Sequence, residues 1–185
     1  RGLGDVYKRQ FMVIVSTFGA IFQWPIGFLS DRIDRRIILI SVTLIASCLS
    51  IFIIISSYVS LLVFFIILAF YAGMSLPMHS LAVAHTNDFL QSDEIVAASS
   101  SINILVGIGA ILGPITASLF MKFIGPDGFF VYIFIVHLLL GLFGLYRMGK
   151  RSKPSDIESQ YVPLPRNISA AGMELNPKVE PTSKE

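Results

Sequence analysis

One short charged turn between two apolar runs holds the residues best able to act chemically. Residues 27–39 read Gly-Phe-Leu-Ser-Asp-Arg-Ile-Asp-Arg-Arg-Ile-Ile-Leu. Arginines at a membrane edge fix orientation, which is the simplest interpretation of the three arginines. Asp31 and Asp34 add nothing to orientation, and burying their charges at that edge costs free energy unless cations pair with them. The turn therefore predicts ion pairing as its chemistry.

A second set of side chains contains the residue types of nucleophilic catalysis, namely Ser80, His85 and Asp88. His85 and Asp88 belong to the same helix end, the sequence has no G-x-S-x-G elbow, and no second acidic or histidine cluster lies at membrane depth on another predicted span. A metal site formed by His79, His85 and Asp88 fails because positions 79 and 85 lie on different faces of one helix. We expect no enzyme, no metal site and no cofactor.

Composition places the chain in a membrane. Of its 185 residues, 54% are hydrophobic and 14% are charged, and the mean hydropathy of +0.74 is one that water-soluble domains rarely reach. The net charge is only +2, without a basic stripe that could follow a phosphate backbone, so nucleic acid is not an expected partner. Cys48 is the single cysteine, which excludes an internal disulfide and indicates a small apolar residue.

Five apolar runs are each long enough to cross a bilayer as a helix. A hydrocarbon core about 30 Å thick needs about 20 apolar residues, and runs of this length without an alternating polar face exclude a β-barrel. The predicted fold is an all-α, polytopic membrane helical bundle over residues 11–148. Its predicted spans are residues 11–30, 37–57, 59–84, 95–123 and 129–147.

Basic residues near the helix ends predict the orientation of the bundle. One side of the membrane would carry seven of them and the other side only Lys122, so the charged turn and the tail are expected on the cytoplasmic side. The seven are Arg32, Arg35, Arg36, Arg147, Lys150, Arg151 and Lys153. Residues 149–185 are polar and contain several prolines, which is typical of a disordered tail. Residues 1–10 are basic on the predicted outer side, so we interpret them as a foreign or truncated leader.

The charged turn resembles the signature G-x-L-x-D-R-x-G-R-[RK] of the major facilitator superfamily. In those transporters the signature joins the second helix of each six-helix half to the third. Asp34 stands where the family usually has glycine, and we expect aspartate to tolerate the unusual backbone angles of such a turn. The residues that match are Gly27, Leu29, Asp31, Arg32, Arg35, Arg36 and Leu39.

This resemblance implies a place and a role for the turn. Three further spans follow the two that the turn joins, so the chain would be the second half of a twelve-helix transporter, from helix eight to helix twelve. Gly27 would let helices pack closely, and Asp31 would approach the positive end of a helix in the missing half. The neighbouring arginines would pair with an acid at the cytoplasmic end of another helix, for which Asp88 is the candidate. Such a cluster would hold a cytoplasmic gate shut and would break as the halves rock.

A second motif lies in the fourth span, where Gly109 and Gly113 form a G-x-x-x-G spacing that Ala117 extends by a turn. The simplest interpretation is close helix packing. Pro114 removes one backbone donor and should kink the helix, and the family resemblance implies a hinge-like helix at the interface between the halves. Both interpretations expect this face to be buried against protein.

Glycine and proline interrupt the third span at residues 71–80, Tyr-Ala-Gly-Met-Ser-Leu-Pro-Met-His-Ser. Broken helices at membrane depth often face a cavity, and by resemblance this helix would line the substrate path. Core packing or structural hydrogen bonding is the alternative interpretation for each residue of this stretch. The candidates for contacting a ligand are Tyr71, Met74, Met78 and His79.

The predicted function is secondary transport of a small solute by alternating access, coupled to a proton or another ion, in a bacterial inner membrane. Residues 23–27, with Leu76-Pro77 and Gly113-Pro114, resemble the YcaD-like subgroup of bacterial transporters. Gln23 and Asn103 are expected to form hydrogen bonds between helices. The expected partners are lipid, a small-molecule substrate, a coupling ion and the missing N-terminal half. The alternative is a transporter-like receptor that binds a ligand without moving it.

Overall fold

The computed structural model describes residues 2–90 and 94–150, with side chains from residue 6 onward. Throughout this part the chain forms helices joined by turns and bends, without a strand. Its helices are α1 (Gly2–Ser30), α2 (Arg35–Ser57), α3 (Leu61–Ser75), α4 (Pro77–Asn87), α5 (Ile95–Ile124) and α6 (Gly128–Lys150). Nearly all of the predicted tail, residues 151–185, lies outside the described residues.

The described helices provide five spans that are long and apolar enough to cross a membrane, which confirms the predicted all-α membrane bundle. α3 and α4 together form one span, Leu61–Asn87. They are separate helices because Pro77 has no N–H to donate to the preceding turn, although Leu76 keeps helical angles and donates to the carbonyl of Ala72 at 3.0 Å. α1 begins at Gly2, so it includes nearly all of the residues interpreted as a leader.

α2 is the central helix of the bundle because it packs against both α3 and α6. Ile53 and Ser50 on α2 are 0% exposed, and Ser47 is 1% exposed. Small side chains let helices approach closely in a membrane, and here the Ser47 hydroxyl reaches the carbonyl of Phe134 on α6 at 3.1 Å. Ser50 instead donates to the carbonyl of Ala46 in its own helix at 2.8 Å. A polar bond therefore ties α2 to α6 inside the span.

Glycines set two of the closest helix contacts. A Cβ atom placed on Gly144 of α6 would lie 2.8 Å from Cγ1 of Ile40 on α2. A Cβ atom placed on Gly73 of α3 would lie 2.6 Å from Cγ of Phe22 on α1. Neither position has room for a larger residue without a shift of its neighbour, so the helix spacing depends on both glycines.

The bundle has two ends of different chemistry. We call one the basic end: it holds the turn between α1 and α2 and the last turns of α4 and α6. At the opposite end the loops that follow α2 and α5 meet, because the Tyr58 hydroxyl donates to the carboxylate of Asp127. That hydrogen bond, with the charge of Asp127, raises the pKa of Tyr58 above its ordinary value of 10.0. Gly125 closes α5 with a φ of 92°, an angle that favours glycine.

Candidate functional site

The charged turn is built around the start of α2. Asp34 is the N-cap, and its side chain accepts a hydrogen bond from the backbone N–H of Arg36 at 3.0 Å. This bond satisfies one of the donors that the first helical turn leaves unpaired. The guanidinium of Arg36 contacts the same carboxylate, with Nε 3.1 Å from Oδ1 and Nη2 2.9 Å from Oδ2. Such a two-pronged pair fixes both side chains more firmly than a single contact does.

Asp34 stands where the family usually has glycine, but it does not adopt the backbone angles that favour glycine. Its φ is −50° and its ψ is 116°, and a negative φ is open to any residue. Within the described residues only Gly125 has a positive φ. The capping of α2, and not a left-handed turn, determines the conformation at this position.

Arg35 connects the turn to the end of α4. Its Nη1 donates to Oδ1 of Asp88 at 2.7 Å and to the carbonyl of Ala84 at 3.2 Å, and its Nη2 donates to Oδ1 of Asp31 at 3.0 Å. The planar guanidinium presents its donors as a fixed fork, so one side chain can serve both carboxylates. The Arg35, Asp88 and Asp31 side chains are 29%, 34% and 67% exposed. The bridge is therefore specific in geometry but partly screened by solvent.

Arg32 and Gly27 lie outside this bridge. The guanidinium of Arg32 lies over the ring of Phe28, 4.1 Å from its centroid, and both residues are exposed. A Cβ atom placed on Gly27 would meet nothing within 4 Å. The close packing expected of Gly27 is therefore not made by any described residue. The structure brings together three of the predicted gate residues by ion pairs, and their gating role stays a prediction.

The four predicted ligand residues do not face one common pocket. Met74 and Met78 pack against the apolar core. Tyr71 lies edge-on to His137 of α6, with 5.9 Å between ring centroids. His79 is exposed and lines a cavity between α2, α4 and α6, which Met78 also borders. Their role in binding a substrate stays a prediction.

A hydrogen bond between α1 and α4 lies on the exposed surface of the bundle. Nε2 of Gln23 donates to Oγ of Ser80 at 3.2 Å, and both residues are exposed. This confirms the interhelical bond expected of Gln23. Ser80 was missed as its partner because the sequence pattern does not say which helices are neighbours. Asn103, for which a similar bond was expected, is exposed on α5.

The small-residue face of α5 is open. A Cβ atom placed on Gly107, Gly109 or Gly113 would meet nothing within 4 Å, and Pro114 is exposed. α5 continues through Pro114 from Ile95 to Ile124. Both interpretations of this motif expected burial against protein; Ala117 is buried, at 7% exposure, whereas no described residue packs against the three glycines.

The residue types of a hydrolytic triad are not assembled into a triad. Ser80 accepts its hydrogen bond from α1, Asp88 pairs with Arg35, and the ring of His85 lies edge-on to Phe89 with 5.1 Å between centroids. Across residues 2–90 and 94–150, no three His, Cys, Asp or Glu side chains are grouped so that they could hold a metal ion. The geometry of the basic end therefore offers ion pairing between helices.

The charged turn lies in a stretch that matches a known family. The sequence profile of the Major Facilitator Superfamily covers residues 9–176, which is most of the chain. The chain belongs to the major facilitator superfamily. With its five apolar spans, it is a multi-pass membrane protein of that superfamily.

Several curated members of the superfamily are similar to the chain, and each is named an uncharacterized MFS-type transporter. The one from Yersinia pestis is 25% identical over 161 residues, which are 87% of this chain and 39% of the relative. The one from Yersinia enterocolitica is 26% identical over 154 residues, covering 83% of this chain and 39% of the relative. The one from Enterobacter sp. strain 638 is 26% identical over 156 residues, with the same two coverages. No solved structure matches the chain significantly.

The chain thus spans 39% of the length of these superfamily members. The family and the names of the relatives point to a transporter rather than to an enzyme. The receptor alternative finds no support in them.

Proposed function

We propose that the chain forms the second half, without its first helix, of a secondary transporter that moves a small solute by alternating access. Membership of the superfamily and the transporter names of the relatives support transport. The charged turn joins the first two spans and three further spans follow them, which supports numbering the five spans as helices eight to twelve. The first half would complete the solute path, and a gradient of protons or another ion would drive the cycle.

The observation that carries this proposal is the bridge that Arg35 makes between Asp31 and Asp88. A gate needs contacts that define one closed arrangement and yet separate in every cycle. Exposed ion pairs are worth about 0.2–1 kcal/mol each, so a bridge with these exposures can open without a large barrier. It joins α1, α2 and α4 at one end of the bundle, which is where a gate would close.

The break at Pro77 supports α4 as the segment that moves when the gate opens. The missing N–H of Pro77 weakens the connection between α3 and α4, so α4 can tilt when the bond between Arg35 and Asp88 opens. We place the solute path along the face where Gln23 of α1 meets Ser80 of α4. The predicted ligand residues of the α3–α4 span would join that path on tilting. They are Tyr71, Met74, Met78 and His79.

The proposed location is the inner membrane of a bacterium, with the basic end and the tail in the cytoplasm. The bacterial relatives and the clustering of arginines support it, and the motif that includes Gln23 and Trp24 supports the YcaD-like subgroup. Orientation is tested by Ile33→Cys in a Cys48→Ser background. Impermeant maleimide added to intact cells should leave residue 33 unlabelled until the membrane is opened. Labelling from outside would overturn the orientation and the gate together.

Transport is tested with the full-length protein in proteoliposomes that enclose a pH-sensitive dye, challenged with a panel of small solutes. We expect solute-dependent ion flux for at least one solute class. Asp31→Asn should lower that flux without lowering the amount inserted, because the bridge through Arg35 loses one carboxylate charge. Asp127→Asn is the matched control, since it makes the same chemical change at the opposite end.

Three results would count against the proposal. Solute binding without flux would identify a receptor. Unchanged flux in Asp31→Asn would remove the gate role from the charged turn. Equal loss of flux in Asp127→Asn would show that the effect is not specific to the basic end.

A further inference from the structure

A cavity of about 640 Å³ lies between α2, α4 and α6 at the basic end, and neither Gln23 nor Ser80 lines it. Its volume is that of a small-molecule site, for which about 300–1,000 Å³ is usual. Each helix contributes a stretch of about two turns to it: residues 36–43 of α2, 78–86 of α4 and 140–148 of α6. At 1.5 Å per residue, the cavity reaches about 10 Å from the basic end into the bundle.

The inner part of the cavity is mostly apolar, although Thr43 and His79 also line it, and it borders the outer surface of α6. Leu39 and Ile40 of α2 line it, opposite Leu140 and Phe143 of α6. Leu140 and Phe143 are each 56% exposed, so the wall that they form is shared with the surface that faces lipid in a membrane. An occupant can therefore enter sideways from the bilayer without crossing the bundle.

The mouth of the cavity is basic. Arg147 lines it from the last turn of α6, and Arg147 and Lys150 together line a smaller neighbouring pocket of about 270 Å³. No carboxylate among the described residues pairs with Arg147 within salt-bridge distance. Arg36 also borders the cavity, but its charge is balanced by the two-pronged contact with Asp34. Lys150 lies over the ring of Tyr146, 4.8 Å from its centroid, a pairing typical of residues at the boundary between lipid and water.

We propose that this cavity binds an anionic phospholipid of the leaflet at the basic end. The phosphate would lie at Arg147 and Lys150, and an acyl chain would lie along Leu39 and Phe143. Basic pockets between membrane helices are suited to anionic headgroups. The mostly apolar inner part of the cavity suits an acyl chain and not a free ion. The proposal depends on the membrane bundle alone and holds whatever solute the protein moves.

The test is native mass spectrometry of the full-length protein, released from detergent and titrated with phosphatidylglycerol or with phosphatidylcholine of the same acyl chains. We expect tight retention of phosphatidylglycerol over phosphatidylcholine. Arg147→Gln should weaken phosphatidylglycerol binding about five-fold, the effect of one basic side chain near a membrane surface. Ala82→Phe, which fills the cavity from α4, should lower retention of the same lipid without altering charge.

Arg32→Gln is the matched control, because it removes an arginine from the same end of the bundle without touching the cavity. Millimolar inorganic phosphate should leave lipid retention unchanged. The proposal is overturned if both lipids are retained equally, if Arg32→Gln acts as strongly as Arg147→Gln, or if Ala82→Phe has no effect. Displacement of the lipid by inorganic phosphate would identify a free-phosphate site instead.

Discussion

The carboxylate of Asp88 lies 2.7 Å from the guanidinium of Arg35, although 53 residues separate them in the chain. The contact spans two helices and leaves both side chains about a third exposed. Its strength and its dependence on the planar guanidinium can therefore be measured directly.

A double-mutant cycle on Arg35→Gln and Asp88→Asn should give a coupling energy of about 0.2–1 kcal/mol, because the pair is partly solvated. The measurement is the thermal unfolding of the full-length protein in detergent at low salt. High salt should reduce the coupling. Arg35→Lys should keep only part of the coupling, since its ammonium retains the charge but cannot reach Asp31, Asp88 and the Ala84 carbonyl together. A coupling of zero at low salt would contradict the contact.

Ser47→Ala should destabilise the packing of α2 on α6 by about 0.6 kcal/mol, the average for a hydrogen bond between membrane helices. The Ser47 hydroxyl donates to the carbonyl of Phe134, whereas Ser50 bonds within its own helix. Ser50→Ala is thus a control of equal burial and equal chemistry. Unfolding in graded detergent mixtures provides the comparison. Equal destabilisation by the two variants would show that the interhelical bond contributes nothing.

Gly141→Ala should destabilise the bundle by about 1–3 kcal/mol, the usual cost of overpacking. A Cβ atom at this position would collide with the Leu44 side chain on α2. Gly149→Ala, in the same helix, meets nothing within 4 Å and should be neutral or slightly stabilising, because alanine favours helix over glycine. The melting temperatures of the two variants, measured in the same detergent, test this difference in stability. If Gly141→Ala were as stable as Gly149→Ala, α2 and α6 would have to lie farther apart.

Tyr58 should titrate above the ordinary tyrosine range, because its neutral hydroxyl donates to the Asp127 carboxylate. A raised pKa means that the bond stabilises the joined loops below pH 10 and is lost as pH rises through the raised value. The difference in absorbance at alkaline pH between the protein and its Tyr58→Phe variant isolates this phenol. Asp127→Asn should lower the pKa of Tyr58 toward its usual value. An unchanged titration in that variant would contradict the contact.

The number of spans could be predicted from the sequence, because the length of an apolar run distinguishes a membrane-spanning helix from a buried one. The choice of Asp88 as partner of an arginine in the charged turn came from the family resemblance, and the structure shows that this arginine is Arg35. The sequence also located the interruption of the third span, since Pro77 cannot donate to the preceding turn.

The remaining contacts could not be predicted, because periodicity gives the faces of a helix and not the identity of its neighbours. Nothing in the pattern around Ser47 selects Phe134 as its acceptor, and nothing around Gln23 selects Ser80. The cap at Asp34 was missed for another reason. The family pattern has glycine at this position, whereas Asp34 here caps the start of α2, a position that aspartate ordinarily favours.

The packing of α2 against α6 also determines when contacts can form during biosynthesis of the bundle. The Ser47 hydroxyl finds its acceptor 87 residues later in the chain, so α2 enters the bilayer well before that acceptor has been translated. During this interval its inner serines face lipid or the insertion machinery, and α2 is held only by its earlier neighbours. A ribosome stalled within α5 would leave Ser47 of the nascent protein without its acceptor on α6.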